Sequence, residues 1–243
     1  MIGTAIVTRN LVKKRGRHRA LDSFTLSVPS GAIMGLVGAN GAGKTTWMMT
    51  VAGLLHPDSG EIDLLGQGPF NAAVHGGRLS ILPQDSELPL EASPRTALYR
   101  FARLQGLAPD AARRSADDAL SAVNLGDRAT SPVRSLSHGM RKRAMAAQCF
   151  VGHPEVVLLD EPLNGLDPIE ADRMRRFILE QRGQRTVVVS SHNLNDIERL
   201  CTHVAFIERG KVRRAGTIES VAQGTSLEEA FLSQCSPRQD LHP

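Results

Sequence analysis

The chain has 243 residues, 41% hydrophobic and 22% charged, with a net charge of +4, which fits a globular protein large enough for one domain with an inserted lobe. No apolar run approaches the roughly 18 residues with which a helix crosses a bilayer. The opening Met1–Ala5 has neither the basic start nor the apolar stretch of a secretion signal, and the expectation is a cytoplasmic protein, soluble by itself.

Residues 3 to 37 read as β-rich. A basic run comes first: Lys13, Lys14, Arg15, Arg17, His18 and Arg19. Such a run suits nucleic acid, anionic headgroups or a polyphosphate, or is simply a solvated face. Phe24, Leu26 and Val28 then alternate with polar residues, as in a half-buried strand. Pro29-Ser30-Gly31 turns the chain into an apolar strand, Ile33–Val37. A helix is expected from Thr46 to Ala52, with Gly53 as its C-terminal cap. Pro57–Gly60 reads as a turn, Glu61–Leu65 as a short strand and Leu79–Leu82 as another, ending at Pro83-Gln84.

Residues 85–135 change character. Strand signals vanish, and helices are expected over Pro94–Leu107 and Asp110–Leu125, the second with Ala112, Ala116, Ala119, Leu120 and Val123 on one face. A further helix-like run spans Arg141–Phe150. Val156–Leu159 and Thr186–Val189 are apolar throughout, as strands buried on both faces of a parallel sheet are. Val204–Ile207 adds a strand, and Glu208–Lys211 turns into Val212. Ser226–Glu229 fits a capping box. The tail over 233–243 is expected to be mobile, with two prolines from Ser236 onward. Cys149, Cys201 and Cys235 lie far apart without metal-ligand spacing and read as reduced structural thiols.

The chemistry concentrates in Gly38-Ala39-Asn40-Gly41-Ala42-Gly43-Lys44-Thr45-Thr46, which fits the phosphate-binding loop G-x-x-x-x-G-K-[ST] between a strand and a helix. Glycines let the backbone wrap phosphate oxygens with its N–H groups pointing inward, and the helix adds its positive end. Lys44 is placed to reach the β- and γ-phosphates, and Thr45 to hold Mg²⁺. The strand Val156–Leu159 ends in Asp160-Glu161, at the sheet edge where such a loop also lies. Asp160 then suits Mg²⁺, and Glu161 suits a general base for the attacking water. His192, after the Thr186–Val189 strand, can reach a γ-phosphate or that water, or merely bond locally. Gln84 sits where the sheet hands over to the helical lobe, and its amide can meet Mg²⁺ or water.

The order of these segments is similar to that in ATP-binding cassette (ABC) transporter nucleotide-binding domains. It comprises the phosphate loop, Gln84, Leu136-Ser137-His138-Gly139-Met140, Val156–Pro162, Gly165-Leu166-Asp167 and His192, and it covers nearly the whole chain. The signature form and the ending Ser226–Leu232 most resemble bacterial ABC-2 type exporters. The resemblance implies an α/β fold over 1–232: a RecA-like, mostly parallel sheet, an antiparallel β subdomain and an inserted helical subdomain at 85–135. It implies ATP and Mg²⁺, and two such domains closed face to face, each ATP lying between one phosphate loop and the partner's Ser137 and Gly139. Asp167 would couple the two sites. A homodimer is the simpler assembly, since one phosphate loop is present. A separate transmembrane permease subunit would hold the chain at the inner face of the membrane.

Besides the single phosphate loop, two departures stand out. The signature carries His138 and Met140 where Gly and Gln are usual, and His138 near a phosphate could make activity pH-sensitive. Arg15 falls where the family places an aromatic residue on adenine; its guanidinium either stacks on the base or points to solvent. The alternative function is a soluble ABC ATPase acting on nucleic acid or the ribosome. The basic run is its support, and the lack of a coiled coil or second cassette counts against it.

Overall fold

The computed structural model describes residues 3–235; the tail from Ser236 lies outside them. β1 (Thr4–Arg15) and β2 (His18–Pro29) form a long antiparallel hairpin. β3 (Ile33–Val37) leads through the glycine-rich loop into α1 (Lys44–Val51). β4 (Ser59–Leu64) pairs with the free edge of β1, giving a three-stranded antiparallel sheet. After the single turn α2 (Ala72–His75) come β5 (Leu79–Leu82), then α3 (Pro94–Leu104) and α4 (Pro109–Ala122), which pack on each other. The chain continues through α5 (His138–Gln148), β6 (Val156–Leu159), α6 (Pro168–Leu179), β7 (Thr186–Ser191) and α7 (Leu194–Leu200). β8 (His203–Glu208), β9 (Lys211–Thr217), α8 (Ile218–Ala222) and α9 (Leu227–Cys235) follow.

The second sheet has six strands in the order β5-β6-β7-β3-β8-β9, all neighbours parallel except β8 and β9. Its central strands are buried at every position, and their side chains divide by the two-residue period of a strand. Ile33, Val37, Val157, Leu159, Val187 and Val189 enter the core shared with α3, α4 and α5. Met34, Leu36, Val156, Leu158 and Val188 enter the core shared with α1 and the antiparallel sheet. Each fully buried aliphatic side chain contributes about 1.5–3 kcal/mol, so a one-residue slip would exchange the two faces and lose both cores. Among the described residues no helix is long and apolar enough to cross a membrane.

Several boundaries differ from the sequence expectation, for local backbone reasons. The helix expected to reach Leu107 stops at Leu104, because Gly106 takes φ +90° and the residue before Pro109 must be extended. The next begins one residue early, with Pro109 at its start, and ends at Ala122, before Asn124 at φ +54°. The strand expected to end at Leu65 ends at Leu64, since Leu65 has φ +57°. The run expected from Arg141 begins at His138, capped by Ser137. α9 extends through Cys235, so residues 233–235 of the expected tail are helical.

Trp47 fastens α1 to the antiparallel sheet. It is fully buried, lies 5.9 Å from the Phe24 ring, and donates its indole N–H to Thr8 Oγ1 at 3.2 Å. Replacing it removes both the packing and the tether that set the helix behind the phosphate loop. Trp47→Ala is expected to cost about 3–5 kcal/mol, read from urea unfolding followed by circular dichroism. A loss under 1 kcal/mol would contradict this packing account.

Candidate active site

The loop after β3 is shaped by glycines with no substitute. Gly43 precedes α1 at φ +113°, and a Cβ on it would stand 2.6 Å from the Ala20 carbonyl oxygen. A Cβ on Gly38 would stand 2.3 Å from the Ile207 carbonyl oxygen. Within this loop the Lys44 ammonium donates to the Gly38 carbonyl at 2.6 Å and sits 3.6 Å from Glu161 Oε1. Both side chains are buried, so the attraction is weakly screened.

Parallel pairing delivers the carboxylates. Leu159 is in register with Val189, and Leu36 with Ser190, so Asp160 and Ser190 emerge side by side at the end of β3. Ser190 Oγ donates to Asp160 Oδ1 at 2.5 Å and accepts the Glu161 backbone N–H at 2.8 Å. Thr45 Oγ1 donates to Asp160 Oδ2 at 2.6 Å. Glu161 turns out of the strand with φ +50°, an uncommon conformation for a residue with a side chain. Its Oε2 lies 3.1 Å from His192 Nδ1, while its Oε1 is buried without a hydrogen-bond partner.

One cleft is lined by the 39–46 loop together with Arg15, Gln84, Asp160 and Glu161. The set fits Mg²⁺: a hydroxyl, a carboxylate and an amide oxygen are hard donors, and Mg²⁺ completes its shell with water and substrate phosphates. The orphaned Glu161 Oε1 fits a water or hydroxyl donor in the same space. His192 lies on the far side of Glu161, in a second cleft with Asn164, Arg175 and Asp196.

Ser137, Gly139 and Asp167 do not line the first cleft. Ser137 caps α5 by accepting the Met140 N–H at 3.2 Å. Asp167 caps α6, accepting the N–H groups of Ile169 at 2.9 Å and Glu170 at 3.0 Å. Gly139 has a packing reason to be glycine, since a Cβ there would meet Glu170 Cγ at 2.6 Å. Ser190 has no role in the sequence reading; its signal there is the Ser190-Ser191 pair at the end of a buried valine strand. Two cations of the basic run are paired, Lys13 with Asp58 at 3.4 Å and Arg19 with Asp22 at 2.8 Å. Burial pushes the Cys149 thiol up to about 12 and raises Cys201 as well, and burial with the Glu208 carboxylate pushes Cys235 up to about 11. None is a thiolate near neutral pH, which suits structural cysteines.

A glycine-rich loop between strand and helix, with a hydroxyl and two carboxylates beside it, defines a nucleoside-triphosphate-binding protein. The model of the ABC transporter family matches residues 21–164. Nod factor export ATP-binding protein I of Burkholderia orbicola is 36% identical over 208 residues, 84% of this chain and 67% of that protein. Daunorubicin resistance ATP-binding protein DrrA3 of Streptomyces coeruleorubidus is 34% identical over 93% of this chain and 72% of its own length. Bacitracin transport ATP-binding protein BcrA of Bacillus licheniformis is 34% identical over 87% and 69%. A solved ATP-binding subunit of an ABC transporter superposes with a TM-score of 0.83 at 26% identity, covering 95% of this chain and 99% of that one. The chain belongs to the ABC transporter family, as an ATP-binding, ATPase subunit.

Ser190 should matter as much as a named motif residue. Ser190→Ala removes a buried bond to a carboxylate and frees the Glu161 N–H. It is expected to lower ATP turnover about tenfold and raise the Mg²⁺ needed for half-maximal rate. Unchanged values in a magnesium titration would remove Ser190 from the site.

Proposed function

We propose that this chain powers an exporter by binding ATP between two copies of itself and hydrolysing it, with a separate membrane subunit forming the pathway. The observation that carries this is the single constellation of Lys44, Thr45, Asp160 and Glu161, within bonding distance around one cleft. Thr45, Asp160 and Gln84 would hold Mg²⁺, which when bound neutralises charge on the β- and γ-phosphate oxygens. The loop N–H groups and Lys44 hold the phosphates. Glu161 accepts the proton of the attacking water at Oε1, the oxygen without a hydrogen-bond partner, while His192 steadies Oε2. Arg15 lines the cleft and would take the base side.

Ser137 and Gly139 would serve the partner's nucleotide. They lie at the start of α5, an eleven-residue helix whose N-terminal dipole suits a γ-phosphate. Asp167, at the start of α6, would couple the two sites across the interface. ATP then joins the subunits and hydrolysis releases them, and the permease between them alternates its access. The named relatives concern Nod factor, daunorubicin and bacitracin; their variety supports a cargo chosen by the membrane subunit. The chain would sit peripherally at the inner face of the membrane. Two of the basic run's cations are already held by aspartates, which weakens the nucleic-acid alternative.

Glu161→Gln keeps the geometry but removes the proton acceptor. It is expected to retain ATP binding, lose turnover and accumulate a closed dimer on sizing with ATP. Lys44→Ala is expected to weaken ATP binding instead. A Glu161→Gln protein that stays monomeric at millimolar ATP would contradict the sandwich. Hydrolysis at the wild-type rate would take the base role from Glu161.

A further inference from the structure

α5 is bonded to the segment that follows Glu161 at two places, and His138 lies close to Gly165. His138 and Lys142 lie one helical turn apart on the same face. A Cβ on Gly165 would stand 3.7 Å from His138 Nε2, and the Lys142 ammonium donates to the Asn164 carbonyl. On the next position Arg143, buried to 2% exposure, donates to Glu170 Oε2 at 2.6 Å and to the Val123 carbonyl at the end of α4. The helix that opens with the signature residues is therefore fastened directly to the loop leaving the catalytic strand.

That loop holds Glu161 in its left-handed conformation. The Asn164 N–H donates to the Glu161 carbonyl at 3.2 Å, closing a tight turn, and the Ser190 hydroxyl takes the Glu161 N–H on the other side. A side-chain residue with positive φ persists only where its surroundings over-determine it. Upstream the constraint is Ser190. Downstream it is the turn, whose outer carbonyl is gripped by Lys142. The ammonium also senses the carboxylate: burial lowers the Lys142 pKa, and the Glu161 charge works against that shift. The two residues border the same small cavity with Gln84 and Pro162.

We propose that Lys142 is a positioning residue for Glu161, clamping the Asn164 carbonyl so that the 161–164 turn holds the carboxylate toward the cleft. The proposal rests on the function proposed above and adds to it a link within one subunit, from the signature helix to that subunit's own water-activating group. Movement of α5, on meeting the partner's nucleotide, would tighten or loosen this turn.

The test uses the full chain with Lys142→Met, which keeps the length of the stem without its charge, and Lys142→Arg, which keeps a donor. Lys142→Met is expected to lower kcat for ATP about tenfold with KM unchanged, while Lys142→Arg restores most of it. A merely structural role would move KM or the thermal midpoint as well, and those are measured alongside. Hydrogen exchange of the amides at 161–166, followed without nucleotide, should quicken in Lys142→Met and return in Lys142→Arg. Unchanged exchange overturns the clamp whether or not the protein turns over ATP. Quickened exchange with an unchanged kcat overturns the positioning role. Loss of hydrolysis in the wild type itself would instead overturn the proposed function, leaving the exchange result to decide the clamp.

Discussion

The structure depends on the parallel pairing of three short strands, β6, β7 and β3. Each is four to six residues long and buried throughout. None can change register without moving its methyl groups to the wrong core. That rigidity sets the relative positions of three segments far apart in sequence: the phosphate loop, the carboxylate pair and the Ser190–His192 stretch. The hydrogen bonds of Asp160 to Ser190 and to Thr45 have the short lengths usual for a hydroxyl donating to a carboxylate. An inward-facing carboxylate pair would repel if left to itself. Here one acid receives two hydroxyl donors, and the other faces an ammonium and an imidazole.

Around this rigid centre the other elements differ in how firmly they are held. α1 is locked by Trp47 to the antiparallel sheet. α5 and α6 are joined by the Arg143–Glu170 pair and by the close approach at Gly139. The salt bridge is almost wholly buried, so removing one partner alone would strand the other charge. The helices of 94–122 touch the rest of the molecule mainly through α5. This arrangement suits a lobe that moves as one body with the helix bearing Ser137 and Gly139.

Much of this was legible in the sequence because the signals were local. Glycine spacing, the Lys44-Thr45 pair and the apolar run into Asp160-Glu161 each carry their chemistry within a few residues. The sheet class followed from strands without polar alternation. Less visible were features that exist only across long separations, such as the Arg143–Glu170 pair or the Lys142 contact with a backbone carbonyl. α6 could have been found from Asp167-Pro168, a cap followed by proline at the first helical position. Helix ends were misjudged where a left-handed residue, Gly106 or Asn124, stopped a periodic pattern that continued beyond it. Ser190 escaped because the Ser190-Ser191 pair ending a valine run reads as a strand end until the neighbouring strand is in place.

The chain carries one tryptophan, and it lies three residues beyond Lys44. Packed against Phe24 with its indole N–H held by Thr8, it sits in a dry, fixed environment. Its intrinsic emission is therefore a label that nature has already attached to the phosphate-loop helix. Light absorbed at the indole band reports on that helix alone, with no background from another indole to subtract.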